Sequence, residues 1–163
     1  MPKSFLMIGV LAALLMIVST IHASSPAIKG EISGVELCPQ FFCDAAVFNG
    51  TCDCEVDGRH TIGFFWVAVE HDPLPSRLLS AAIRGGKWNL TTLRGNFSGR
   101  VLEGSITNND DETFTVKATL RLRKGGNGDV IVSGVLDHTE FPPTFEGKLL
   151  QPQSALDNKG RER

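Results

Sequence analysis

The chain is expected to be all-β: one antiparallel β-barrel or β-sandwich domain with at most one short helix. Three observations point there. In Thr113–Arg123, Phe114, Val116, Ala118, Leu120 and Leu122 alternate with threonine, lysine and arginine, the period-2 signature of a strand with one dry and one wet face. Turn formers recur at short intervals, as at Asp57-Gly58, Asn108-Asn109-Asp110-Asp111 and Gly125-Gly126-Asn127-Gly128. Glycine also recurs inside the apolar stretches, at Gly30, Gly99, Gly104, Gly134 and Gly147. Glycine weakens a strand, so a repeated one signals geometry, namely the sharp bending by which a sheet curls into a barrel. A barrel is therefore favoured over a sandwich.

The elements follow in order. Lys3 and the fourteen-residue apolar run Phe5–Val18, followed by a small-residue stretch, have the layout of a secretory signal peptide ending after Ala23. The run is shorter than the roughly 20 residues of a spanning helix. Residues 1–23 are thus read as a signal, 24–150 as a single β domain with a cysteine-rich N-terminal part, and 151–163 as a polar, flexible tail. Residues 24–30 read as an unstructured lead. Thr61–Val69 is the most apolar segment after the signal and reads as a central strand, stopped by Asp72-Pro73-Leu74-Pro75. Ser76–Gly86 carries a helical stripe of Leu78, Leu79, Ala82 and Ile83 between a serine cap and a glycine pair, and is the one expected helix. Strands are expected at Lys87–Leu93, Asn96–Leu102, Ser105–Thr107, Thr113–Arg123, Val130–His138 and Thr144–Leu150.

Composition excludes some functions. Removing residues 1–23 leaves about 140 residues with net charge −3. This balance disfavours nucleic acid, which needs a clustered basic surface, and gives no support to an anionic membrane as partner. The expected location is extracytoplasmic or secreted, without stable membrane insertion once the signal is cleaved. Cys38, Cys43, Cys52 and Cys54 are all the cysteines, and an even number in an exported chain points to disulfides. If the window folds as a hairpin, Cys38–Cys54 and Cys43–Cys52 nest. A four-thiolate zinc cage is the rival reading, and the spacing is not that of a zinc site.

No motif establishes catalysis. No Gly-x-Ser-x-Gly elbow, GxGxxG or Walker loop occurs, and no cofactor is implied. The most specific pattern is an echo between Glu70-His71-Asp72-Pro73-Leu74-Pro75 and Asp137-His138-Thr139-Glu140-Phe141-Pro142. Parity puts each histidine on its strand's apolar face and the preceding acid on the other. Converging histidines with Glu140 would suit a divalent metal; local hydrogen bonding at each strand exit is the more economical account. Asp53, Glu55, Asp57 and Gly58 resemble the start of a calcium loop but lack its closing glutamate. Trp66, in the most apolar strand, is expected in the core. Sugar stacking by Trp66 or Trp88 is the alternative, and the absence of tyrosine weighs against an adhesive surface. Asn49, Asn89 and Asn96 head N-glycosylation triplets. The sequence thus favours an exported, non-enzymatic module binding a small ligand or an extracellular partner. The alternatives are a structural or interaction protein of the cell envelope and a metal-dependent enzyme using His71 and His138.

Overall fold

The computed structural model describes residues 25–37, 45–74 and 79–152. The expected signal peptide, Cys38, Cys43 and the tail from residue 153 lie outside them. Eight antiparallel strands follow in chain order: β1 Ile28–Leu37, β2 Ala45–Val56, β3 Arg59–His71, β4 Ser80–Thr92, β5 Gly95–Asn108, β6 Thr113–Lys124, β7 Gly128–Asp137 and β8 Thr144–Leu150. Each pairs with its sequence neighbour, and β8 closes on β1, from Gly30 opposite Leu149 to Val35 opposite Thr144. The sheet is therefore a closed up-and-down barrel without free edges.

Two-residue alternation builds the wall. On β6 the side chains of Phe114, Val116, Ala118, Leu120 and Leu122 are all buried inside the barrel, as the pattern predicts. Asp57 and Gly58 both have positive φ, 51° and 73°, and make the tight β2–β3 turn. The recurrent glycines point inward where strands cross closely. A Cβ on Gly34 would come within 2.7 Å of the Gly50 Cα, and one on Gly134 within 2.6 Å of the Gly147 Cα. No side chain fits there, which lets the small barrel curl.

Several expectations are corrected. Residues 80–92 form a long strand, not the C-terminal part of a helix, with Ala81 and Ile83 inward and Ala82 and Arg84 outward. The two-residue period wins because pairing with β3 and β5 supplies backbone partners all along the segment. The Gly85-Gly86 pair, read as a helix stop, lies beside an irregularity of the β3–β4 ladder at Glu70/His71. The stretch read as an unstructured lead is in strand from Ile28; Asn49-Gly50, a turn-forming dipeptide by composition, lies mid-strand in β2. Lys87–Leu93 is the second half of β4, and the two strands expected between Asn96 and Thr107 are one continuous β5.

Candidate functional site

Side chains fill the lumen. Phe48, Phe65, Val67, Leu120, Val132 and Phe145 are among the side chains that fill it, leaving about 20 Å³. That is about one water's worth of space, far below the roughly 300 Å³ of a small-molecule pocket. Trp88 belongs to this filling. It is 1 % exposed, and its indole Nε1 donates to the Arg121 carbonyl at 3.2 Å.

The cysteines are part of the same core. Cys52 and Cys54 both point inward on β2, opposite Ile32 and Gly30 of β1, and are free thiols. The partners expected for them, Cys38 and Cys43, lie outside the described residues. The Cys54 thiol donates to the Cys52 carbonyl at 3.7 Å. A hydrogen bond shared with Cys54, and then burial, push the Cys52 thiol far up, so it stays protonated and inert.

His71 and His138 stand at the same rim of the barrel but on opposite sides, since β3 and β7 are four strands apart in either direction. Each has its own partner. His71 is buried on the inner face, and its Nδ1 donates to the Asp72 carbonyl at 2.6 Å. His138 follows β7, lies against the Phe114 ring at 4.9 Å between centroids, and pairs through Nε2 with Glu36 Oε2 at 3.0 Å. Glu140 is exposed beyond it. Among the described residues, no group of three or more His, Cys, Asp or Glu is arranged to hold a metal. The acids of the calcium-like stretch are likewise engaged: Asp53 with His60 at 2.7 Å and Glu55 with Lys29 at 2.9 Å.

The outer wall carries a different kind of surface. On β3, Ile62, Phe64 and Trp66 face outward, with Phe64 73 % and Trp66 36 % exposed. The expectation that Trp66 packs in the core is thus overturned: Trp88 packs there, and Trp66 stands outside. Register then builds two rows across four strands. One reads Asn49, Trp66, Asn89, Ser98 from β2 to β5; the next reads Thr51, Phe64, Thr91, Asn96. The eight positions hold two aromatics, three asparagines, two threonines and a serine, and no charge. The three glycosylation triplets therefore share one face. Thr91 Oγ1 donates to Asn89 Oδ1 at 2.9 Å. Ile62 and the almost fully exposed Leu93 extend the apolar edge.

Beside this face runs an open trough of about 620 Å³ over β7, β8, β1 and β2. Ser33, Thr51 and Ser133 are its short side chains; Glu31, Asp53, Glu146 and Lys148 stand along it. Thr51 belongs to both the trough and the aromatic face. The sequence signal for the outer face was the parity of β3, because Trp66 shares the face of Glu70, two turns of the pleat away.

No protein-family model, curated protein or solved structure matches the chain.

Proposed function

We propose that this chain is an exported, non-enzymatic barrel module that binds an extracellular partner through its outer wall. The observation that carries this reading is the exposed pair Phe64 and Trp66 amid uncharged polar side chains, on a barrel whose interior is already full. A cluster of exposed aromatics costs solubility unless it is covered, and tryptophan is the residue most enriched where binding energy concentrates. The layout of residues 1–23 supports export. The wall elsewhere is charged, with Lys29, Glu31, Glu55, Lys117 and Arg121 facing out. That polarity, charged outside and apolar inside, is the reverse of a lipid-facing barrel and supports a module that works in water.

The test is retention of the mature chain on the surface of the cells that export it, compared with Phe64→Ser/Trp66→Ser and with Phe141→Ser. Phe141 is 96 % exposed but follows β7, away from the two rows. The double variant should wash off at least tenfold more readily with an unchanged melting midpoint, and Phe141→Ser should behave as the parent. Equal retention of the double variant overturns the reading, as does stoichiometric uptake of an apolar dye into the native lumen.

A further inference from the structure

Resting on this outer-wall reading, we propose that the partner is a neutral polysaccharide, laid across β2–β5 with Phe64 and Trp66 as its stacking platforms. A pyranose ring has an apolar C–H face and a rim of hydroxyls. It therefore needs a flat aromatic beneath it and groups at the edge that both donate and accept. Asparagine offers two donors and an acceptor, and a threonine or serine hydroxyl offers both roles. The two rows present this combination: each aromatic is flanked across the strands, Trp66 by Asn49 and Asn89, and Phe64 by Thr51 and Thr91. The bond from Thr91 to Asn89 aligns the Asn89 amide and leaves its nitrogen as a donor.

Charge and size narrow the occupant. None of the eight side chains is ionised at neutral pH. The cations stand around the rows: Lys87 and Arg100 in the adjoining row, and Lys124 of β6 opposite Ser98 at one end. An acidic ligand would gain nothing from the rows themselves. Strands about 4.8 Å apart make each row roughly 14 Å long, and the rows lie about 7 Å from each other. The eight side chains form a strip only two side chains wide on each strand, a shape that fits a thin linear ligand. A second copy of this chain or a folded protein, whose interface takes about 800 Å² from each partner, would have to cover the charged wall around the strip as well, with Asp53 on one side and Lys87 and Arg100 on the other. The trough prolongs the second row: Ser33 is paired with Thr51 on one side and Glu146 on the other, and the Ser33 and Thr51 hydroxyls lie 3.4 Å apart. A chain stacked on Phe64 thus meets two hydroxyls, of Thr51 and Ser33, and then the Glu146 carboxylate as it runs onward.

The experiment uses the mature chain and the same cell surface in three states: untreated, oxidised with periodate to cleave sugar diols, and digested with protease. Intact mass of the secreted protein and sedimentation velocity accompany it. The expected result is retention lost by at least tenfold after periodate, kept after protease, and kept in about 0.5 M sodium chloride, which screens exposed charges. Trp66 emission should shift on binding and return after periodate treatment. Retention that falls with protease and survives periodate overturns the glycan while leaving the outer-wall reading intact. Release by salt overturns the neutral ligand. A dimer abolished by Phe64→Ser/Trp66→Ser assigns the face to a second copy, and mass gains of N-acetylhexosamine and hexose at Asn49, Asn89 or Asn96 assign it to the chain's own glycans; either overturns the proposal. Undiminished retention of the double variant overturns both readings together.

Discussion

The two tryptophans make the sharpest test of the barrel, because the same truncation is applied to opposite faces of its wall. Trp88→Ala removes a side chain that is 1 % exposed and whose indole bonds the Arg121 carbonyl. A buried tryptophan covers up to about 250 Å², worth roughly 6 kcal/mol by area. Partial collapse of the hole brings measured Trp→Ala losses to about 3–5 kcal/mol. Trp66→Ala truncates a side chain that stands on the outer wall between Asn49 and Asn89, 36 % exposed, and opens no enclosed hole. Cross-strand pairs contribute about 0.2–1 kcal/mol each, so the two together put the loss at about 1 kcal/mol and no more than about 2 kcal/mol. For a domain of this size, 1 kcal/mol moves the midpoint by about 3–5 °C, giving a fall of roughly 10–20 °C for Trp88→Ala and only a few degrees for Trp66→Ala. Thermal and urea unfolding of the mature chain, followed by circular dichroism, read both values. Emission gives an independent reading: Trp66→Ala should leave a blue, buried spectrum and Trp88→Phe a redder one. Equal destabilisation by the two alanine variants, or a larger loss for Trp66→Ala, would refute the assignment of inner and outer faces.

Two further predictions concern the thiols and acid. Native protein should expose neither Cys52 nor Cys54 to a thiol reagent, and both should react on unfolding in denaturant; fast labelling of either in the native state would contradict their burial inside the barrel. In acid, three carboxyls held below their ordinary range set the response. Asp111 is lowered by bonds from the Thr113 hydroxyl and amide, Asp129 by the Arg121 guanidinium, and Asp137 by bonds from the Thr139 hydroxyl and amide. A carboxyl lowered on folding stabilises above its unfolded pKa of about 3.9, and that gain is lost as pH falls through the folded value. The melting midpoint should therefore fall below about pH 4 as these three carboxyls protonate, less steeply in Asp129→Asn. A midpoint that rises on acidification would refute the sign.

Some elements were legible because one local rule decided them. β6 alternates so regularly that its inner face follows from the chain alone, and Asp57-Gly58 and Gly125–Gly128 announce their turns. The recurrent glycines carried the curvature: Gly30, Gly134 and Gly147, read from the sequence as bends, each lie against the backbone of a neighbouring strand with no room for a Cβ. The helix expected at Ser76–Gly86 failed where two periods competed over a short window: Ala82 and Ile83 fit a helical stripe, while Ala81 and Ile83 fit the barrel. Partners on β3 and β5 decided between them, and those partners are distant in sequence.

The candidate site was harder to read. β3 is apolar at both parities, so hydrophobicity left its faces undecided, and Trp66 was drawn to the core by its neighbours. Two polar residues at its ends, His60 and Glu70, share the parity of Trp66 and marked which side meets water. The rows that join Asn49, Trp66, Asn89 and Ser98 come from four separate strands, so no spacing along the chain announces them.

By itself, the sequence determined that this chain is β-rich, that its last strand spans Thr144–Leu150, and that β6 has one dry face. These follow from side-chain alternation and turn chemistry, which act over a few residues. Only the tertiary structure decided that the barrel closes between β1 and β8, that its lumen is full, that His71 and His138 stand apart, that Cys52 and Cys54 are unpaired, and that Phe64 and Trp66 face solvent. Each depends on register between strands, and register is set by the simultaneous packing of all eight against one core.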